Sequence, residues 1–147
     1  MVYPVNKVKF TVGIKGLAST ADDMKIVRDA ETFTLAFDNG VEEWNPMDQS
    51  GWVRRLLTSK SITVTLDGKR NVGDPGNDYI AGLAYANGED ATTLVNIEFP
   101  NGDVLVVRGV VNVKENGGGD STAVGALSWE LMSDGEPTYT VYKEEGN

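Results

Sequence analysis

Residues 92–142 read TTLVNIEFPNGDVLVVRGVVNVKENGGGDSTAVGALSWELMSDGEPTYTVY, and this stretch decides the fold class. Short runs of alternating apolar and polar residues are separated by Gly-rich turns, a pattern typical of consecutive β-strands. Residues 104–113 are apolar at both alternating positions, so we expect that strand to be covered on both faces. One cover is the core. The other is expected to be a second copy of the protein, which indicates assembly rather than catalysis.

The composition of the 147 residues excludes several classes of function. The chain holds no histidine and no cysteine, which removes the commonest general base and metal ligand together with thiolate chemistry. Its formal net charge is −9 and its basic residues are scattered, so we expect no grip on nucleic acid phosphates and no docking to an anionic membrane. We therefore expect no enzyme, no metal and no cofactor.

The chain is expected to form one domain, residues 1–147, because its length suits a single core and no linker interrupts it. No run approaches about 20 apolar residues, and the N-terminus lacks the apolar centre of a signal peptide. The protein is accordingly expected to be soluble and made in the cytoplasm.

Turn dipeptides and period-two alternation predict a mainly β fold. Asn-Gly and Asp-Gly pairs favour tight turns, and the runs between them predict strands at residues 7–14, 32–37, 61–66, 93–99, 104–113, 127–131 and 138–142. Trp129 alternates with Leu127 and Leu131, so we expect it in the core. Six to eight strands indicate a β-sandwich or closed barrel.

One short flanking helix is predicted at residues 75–86, with Asp74 or Asn77 as its N-cap. The acid- and glycine-rich residues 67–78 before it do not match the EF-hand spacing, so they are interpreted as a solvated turn. Residues 19–31 stay ambiguous: Thr20 and Asp23 resemble a capping box, but residues 25–30 equally suit the opening of a strand.

Residues 38–55, DNGVEEWNPMDQSGWVRR, are predicted to be a long connection between strands. Long connections in compact domains are usually functional or disordered, and two tryptophans argue against simple disorder. Trp44 and Trp52 either pack on their own domain or anchor a partner, and both alternatives stay open.

Paired carboxylates are the only catalytic raw material in the chain. They are adjacent in sequence, so on a strand they point to opposite faces, and none lies in an apolar run that would raise its pKa. The pairs are Asp22-Asp23, Glu42-Glu43, Glu89-Asp90 and Glu144-Glu145.

The turn at Asn101-Gly102 decides which residues share a face. If it is a two-residue hairpin loop, Phe99 faces Val104 and Ile97 faces Val106. The opposite, mixed face then carries Leu94, Asn96 and Glu98 against Leu105, Val107 and Val111, and mixed faces suit subunit contacts. A loop longer or shorter by one residue would exchange the residues on the two faces of the second strand.

An ordered set of motifs spans residues 41–138. It comprises Trp44 and Trp52, the turn Gly68-Lys69-Arg70, Gly73-Asp74 before the helix, Phe99-Pro100 with Gly102-Asp103, and Asp134-Gly135-Glu136-Pro137. In this order the motifs resemble the tail tube (major tail) proteins of long-tailed bacteriophages.

The resemblance implies hexameric rings whose inner strands join into one barrel and which stack into the tail tube of a virion. It also implies tape-measure, tail terminator and tip proteins as partners, and passage of DNA into the host without specific binding. By position, residues 38–55 correspond to the ring-stacking loop, with Glu42, Glu43, Trp44, Asp48, Trp52, Arg54 and Arg55 as candidates. Asn96, Glu98, Arg108 and Asn112 are candidates for strands that face a neighbouring subunit or the lumen.

The same sequence leaves a second class of function open. A monomeric β-sandwich module that binds a carbohydrate or a protein would also fit a β-rich chain with three tryptophans and five tyrosines. A carboxylate-based hydrolase is the weakest alternative.

Overall fold

The computed structural model describes residues 1–141. Tyr142, which closes the predicted last strand, and the Glu144-Glu145 pair lie outside the described residues. Within them the predicted fold class is confirmed: an antiparallel, mostly β fold with one α-helix. The elements are β1 (Lys9–Gly13), β2 (Met24–Ile26), β3 (Ala30–Trp44), β4 (Arg54–Lys69), α1 (Pro75–Gly82), β5 (Thr92–Glu98), β6 (Val104–Asn116), β7 (Ala126–Ser133) and β8 (Thr138–Thr140).

The strands form one sheet in the order β2-β1-β5-β6-β7-β4-β3. β8 pairs with β6 at Val104–Val106, and β7 pairs with β6 from Gly109 onward, so the two follow one another along β6. The ring centroids of Phe10 on β1 and Phe33 on β3 lie 4.6 Å apart, although these strands are far apart in the sheet order. The sheet therefore curls around a common core.

The predicted alternation places the core side chains correctly in β4 and β7. Leu66 pairs with Trp129 and Val64 pairs with Leu131, so their side chains share the inner face. All four are nearly or fully buried, and Trp129 is 1% exposed, as predicted. Because alternate residues point to opposite faces, one buried face is enough to set the register of both strands.

The helix begins as predicted and resolves the choice of cap. Asp74 is the N-cap: its Oδ2 accepts hydrogen bonds from the Asn77 backbone N–H at 3.1 Å and from the Arg28 N–H at 3.2 Å. The regular α-helix ends at Gly82, earlier than predicted, and a 3-10 turn at Leu83–Tyr85 extends it. The solvated turn predicted over residues 67–78 is confirmed only between β4 and the helix, at residues 70–73; residues 67–69 end β4, and Asp74 and Asn77 are buried.

Asn77 is buried and ties the helix to the sheet. Its Nδ2 donates to the carbonyl oxygens of Arg28 at 3.1 Å and Lys69 at 3.0 Å. Its Oδ1 accepts from Arg70 Nη1 at 2.9 Å and from the Asn71 N–H at 3.0 Å. All four hydrogen-bonding positions of this amide are filled. We call Asp74, Asn77, Asp78 and Arg70, with the backbone they bind, the helix junction.

Both alternatives for residues 19–31 are partly realised. Thr20 and Asp23 close a capping box around a 3-10 turn at Ala21–Asp23, and β2 follows as a separate short strand before β3. The Asp23 carboxylate accepts a hydrogen bond from the Thr20 N–H, which lowers the pKa of Asp23.

Of the two loop lengths left open at Asn101-Gly102, the structure shows the longer one. The Gly102 N–H donates to Phe99 O at 2.9 Å, and the Phe99 N–H donates to Asp103 O at 2.9 Å, so three residues form the loop. Pro100 suits the first central position of a type I turn, and Gly102 has the positive φ (96°) that such a three-residue loop requires next. The extra residue exchanges the faces: Ile97 pairs with Leu105 and Val95 with Val107, all four in the core.

Candidate assembly interface

Residues 38–55 are not one long connection, as the sequence predicted, because half of them belong to strands β3 and β4. β3 and β4 pair along their whole length, from Ala30–Gly68 to Trp44–Arg54. Only residues 45–53 are a loop, which we call the tip. Residues 38–44 and 54–61 pair with each other as a two-stranded ribbon, beyond the part of β4 that pairs with β7. We call residues 38–61, which include the tip, the arm.

The ladder of the arm carries two cross-strand contacts next to the tip. Glu43 pairs with Arg55, and its carboxylate receives the Arg55 Nε–H at 2.8 Å. On the other face Trp44 pairs with Arg54, whose guanidinium carbon lies 5.7 Å from the Trp44 ring centroid. Both contacts are exposed, and each adds only a fraction of a kcal/mol, roughly 0.2–1. They align the tip without burying it.

No residue between 38 and 61 is buried. Met47 is fully exposed, Trp52 is 76% exposed, and Trp44 is 41% exposed beneath Arg54. Neither tryptophan ring is buried in its own domain, so of the two alternatives for Trp44 and Trp52 the structure favours contact with a partner. Exposed clusters of large apolar side chains often mark interaction sites. The exposed apolar residues of the arm also include Val41, Leu56 and Leu57.

The tip is internally hydrogen-bonded. The Trp52 N–H donates to Gln49 O at 2.9 Å, and Asn45 Nδ2 donates to Gly51 O at 3.2 Å. Ser50 and Gly51 both adopt positive φ, 52° and 87°, which turns the chain sharply between Met47 and Trp52. The loop therefore presents these two side chains in a defined arrangement. The charged candidates Glu42 and Asp48 lie on the exposed surface of the same arm.

The sheet has free strand edges near the arm. Among the described strands, β3 pairs only with β4, which leaves its other edge open along 15 residues. β4 pairs with β7 only from Thr63 to Lys69. The Ile62 N–H, just past that ladder, donates to Ser133 Oγ at 2.9 Å. Long free edges invite pairing with another chain.

The structure brings Asn96, Glu98, Arg108 and Asn112 to one face, the side of β5 and β6 opposite the core. On β6 the side chains of Leu105, Val107 and Val111 point inward and are buried, whereas Val110 on the outer face is 37% exposed. The predicted absence of an exposed face on residues 104–113 is therefore wrong. A two-residue loop at Asn101-Gly102 would have placed the buried Val107 and Val111 on this face.

Two basic residues on the outer face, Arg108 and Lys114, are paired with carboxylates. Arg108 Nε lies 3.9 Å from Asp134 Oδ2, and Lys114 Nζ lies 3.2 Å from Glu130 Oε2. Glu130 Oε1 accepts a hydrogen bond from Asn112 Nδ2 at 3.0 Å. Hydrogen bonds from Asn112 and Lys114 hold the pKa of the Glu130 carboxyl below its usual value.

A groove of about 890 Å³ opens at the base of the arm, where β4 leaves β7. Its floor is the end of the core, at Leu35, Ile62 and Leu105, and aromatic side chains line its walls. Tyr139 Oη donates to Asp103 Oδ2 at 2.6 Å, which raises the pKa of the Tyr139 phenol. The wall residues are Tyr3, Phe37, Phe99, Pro137 and Tyr139, with Thr58, Lys60 and Glu136 at the sides.

Sequence reasoning missed this groove entirely. The residues SDGEP between β7 and β8 indicate a turn in the sequence. The opposite side of the groove is formed by β4, which is distant in sequence, so nothing in the sequence indicated a groove there. Within residues 1–141, no helix has the length and apolar character needed to cross a membrane. Nor does that part of the chain gather three acidic side chains as a metal site would.

Comparison of the sequence with family models and with curated proteins finds no match. Solved structures do match. One is a chain from the tail of an empty gene transfer agent particle, determined by helical refinement with C6 symmetry: the TM-score is 0.75 at 11% identity, over 95% of this chain and 100% of that one. Another is a chain from the virion of a native gene transfer agent particle, with a TM-score of 0.68 at 14% identity and the same coverage. The protein thus shares its fold, over nearly its whole length, with chains of gene transfer agent particles.

Proposed function

We propose that the protein is a structural subunit of a phage-type tail, which assembles into hexameric rings that stack into the tail tube of a virion. The observation that carries this proposal is the fold shared with a chain from a tail of C6 helical symmetry, over 95% of the present chain. The arm supports the proposal independently of the shared fold.

The arm supplies what ring stacking needs. It extends beyond the part of the sheet that surrounds the core, exposes apolar side chains and carries charged residues of both signs, among them Glu42, Glu43, Asp48, Arg54 and Arg55. Interfaces favour Trp and Arg at their energetic centres. Trp44, stacked under Arg54, and Trp52 at the tip are therefore the proposed anchors on the next ring.

Lateral association would use the free strand edges. Pairing the open edge of β3 with a neighbour would satisfy its backbone groups and remove an aggregation hazard. Repeated around six copies, such pairing would join the sheets into one barrel. The face of Asn96, Glu98, Arg108 and Asn112 would then contact a neighbour or line the lumen.

The net negative charge of the subunit bears on how DNA would pass through the lumen. Each copy carries −9, and a ring repeats that charge at every subunit. A negative wall repels the phosphate backbone, and Arg108 and Lys114 on this face are already paired with carboxylates, so DNA would slide through without specific binding. A tape-measure protein would occupy the tube beforehand, and terminator and tip proteins would close its ends.

Negative-stain microscopy of the concentrated protein tests the proposal. We expect rings of six-fold symmetry or tubes. A protein that stays monomeric at high concentration, and that also fails to extend a preformed tail tip complex, would contradict the assignment.

The groove supports the alternative of a monomeric binding module, since about 890 Å³ lies within the usual range for ligand sites, roughly 300–1,000 Å³. The three tryptophans, however, do not form a sugar platform: Trp129 is in the core, while Trp44 and Trp52 lie at the far end of the arm. A persistent monomer that binds glycans would favour this alternative.

A further inference from the structure

Four asparagines of this chain are each followed by glycine: Asn39, Asn87, Asn101 and Asn116. An asparagine in this position can lose its side-chain amide without an enzyme, because glycine has no Cβ to obstruct attack by its backbone nitrogen on the asparagine Cγ. All four asparagines are exposed, so burial does not distinguish them. Their hydrogen bonds differ, and this difference ranks their reactivity.

We propose that Asn87 is the site at which the folded protein deamidates first, an inference that does not depend on the proposed assembly. In this step Gly88 N forms a bond to Asn87 Cγ and the bond from Cγ to Nδ2 breaks. Nδ2 leaves as ammonia with the proton that Gly88 N loses. Water then opens the resulting succinimide at one of its two carbonyl groups, which yields aspartate or isoaspartate.

The reacting groups at Asn87 lie side by side and have no competing partner. The Gly88 N–H donates to Asn87 Oδ1 at 3.0 Å rather than to a backbone carbonyl. Because Oδ1 is bonded to Cγ, the attacking nitrogen is close to the carbon under attack, and proximity of this kind speeds an intramolecular step. Among residues 1–141 nothing accepts a hydrogen bond from Asn87 Nδ2, so the amide is free to leave. The space around Gly88 is open, which leaves the turn room to rotate.

At Asn101 the same groups are held elsewhere. Asn101 Oδ1 accepts from the Asp103 N–H at 3.1 Å, and Asn101 Nδ2 donates to Asp103 Oδ2 at 3.0 Å. The Gly102 N–H donates to Phe99 O at 2.9 Å. Formation of the succinimide has to break these hydrogen bonds of a tight turn, which lowers the population of the reactive arrangement.

Asn116 is restrained at both the leaving and the attacking nitrogen. Its Nδ2 donates to Ala81 O at 3.2 Å, which ties the end of β6 to the helix. The Gly117 N–H donates to Ala126 O at 2.6 Å, across the loop that joins β6 to β7. Both hydrogen bonds have to open before the ring can close, so we expect Asn116 to react slowly although it is exposed.

Asn39 lies between these cases. It pairs with Lys60, and Gly40 pairs with Ser59, in the ladder of β3 and β4. The ladder fixes an extended backbone that ring closure has to abandon. This part of the ladder belongs to the arm, which is exposed and opens locally more readily than the core strands. We therefore expect Asn39 to react after Asn87 and ahead of the asparagines in the two tight loops.

The modification changes a defined position of the subunit. Asn87 precedes the turn Gly88–Ala91, which already carries Glu89 and Asp90, and the new carboxylate adds a further negative charge there. Isoaspartate also adds one backbone carbon to the link between α1 and β5. Aged subunits therefore differ from newly made ones in charge and, in part, in the length of this link.

Peptide mass spectrometry of protein kept in mildly alkaline buffer tests the ranking, because all four sites are compared in one sample. The folded, dispersed protein is followed over time beside the same protein in denaturant, where the native hydrogen bonds are absent. We expect deamidation at Asn87 to be at least about ten-fold faster than at Asn101 or Asn116 in the folded protein, because those sites must break two or more hydrogen bonds first. In denaturant the four rates should converge.

The control is Asn87→Ser, which keeps an oxygen that can cap the turn and has no amide to lose. The main acidic species that ion exchange resolves in aged protein should be missing from this variant. Folded protein in which Asn101 or Asn116 reacts as fast as Asn87, or in which Asn87 stays intact, would overturn the proposal. The same ranking in denaturant would also overturn it, since the local sequence rather than the fold would then set the rates.

Discussion

The helix junction and the arm treat their side chains in opposite ways. At the junction a buried amide, Asn77, has every hydrogen-bonding position filled by its own chain, and Gly76 lies against the Ile26 carbonyl with no room for a side chain. On the arm no side chain between residues 38 and 61 is buried. Each of its two strands has one edge that pairs with no described strand.

The difference separates folding from assembly. Interactions that a chain completes alone stabilise the subunit, and removing one of a buried polar pair leaves the other unsatisfied. Surface that the chain leaves bare contributes little to the subunit and becomes valuable only when a partner covers it. Mutations at the two regions should therefore affect different measurements.

The largest expected effect is on assembly. In the double variant Trp44→Ala with Trp52→Ala we expect rings and tubes to disappear, because two anchors of the arm are lost. The free energy of unfolding of the subunit should change by no more than about 0.5 kcal/mol per site, as for other exposed positions. Microscopy and thermal unfolding of the same preparation measure both quantities.

Tyr85→Ala removes an aromatic side chain that is 87% exposed at the end of the helix, and it is the matched control. It should leave assembly intact. If the double variant instead unfolds globally, the tryptophans stabilise the subunit and the separation is wrong.

The next effect concerns stability. Asn77→Asp replaces the Nδ2 donor by an oxygen that faces the carbonyl oxygens of Arg28 and Lys69. We expect the free energy of unfolding to fall by about 1–3 kcal/mol, the usual cost of leaving buried polar groups unsatisfied. Chemical denaturation measures the loss. Asn39→Asp on the exposed arm is the control, and an equal loss there would contradict the comparison.

The smallest effect is a pH dependence at the junction. The hydrogen bond from Arg70 Nη1 to Asp78, 2.7 Å long, and the Gly73 N–H lower the pKa of the Asp78 carboxyl. A lowered folded-state pKa means that the stabilisation is present above the unfolded-state pKa and is lost as the pH falls through the folded-state value. Asp78→Asn should therefore flatten the decline of melting temperature below about pH 4.

Asp48→Asn removes a carboxylate from the tip and is the control for this titration. Its melting temperature should follow the unmodified protein across the acid range. An Asp78→Asn protein whose acid decline is as steep as that of the unmodified protein would show that the junction does not depend on this carboxylate.

The sheet around the core could be predicted from the sequence because β1, β5, β6, β7 and the second half of β4 each bury one face there. Leu127, Trp129 and Leu131 alternate with polar residues, and that alternation reports burial directly. The helix was predictable for a similar reason, since Asp74 and the proline after it are strong local start features.

The arm could not be predicted in this way because neither of its faces is buried, so alternation carries no information there. A bulge between Gly40 and Val41 also shifts the register within the ribbon. The length of the turn after β5 could not be predicted for a different reason. Asn101-Gly102 suits two hairpin geometries, and Pro100 favours the longer one. That single residue decided whether Val107 faced the core or the outside.

Hydrogen exchange at the backbone amides of residues 38–44 and 54–61 tests the central claim most directly, when it is measured in the dispersed subunit and again in the assembled material. Exposed ribbons open locally and exchange faster than core strands. We predict rapid exchange in the dispersed subunit relative to β5, β6 and β7, and strong protection of the arm after assembly with little change at the Asn77 amide. Arm amides that are already as protected as β6 in the dispersed subunit, or that still exchange rapidly in assembled rings, would contradict the account.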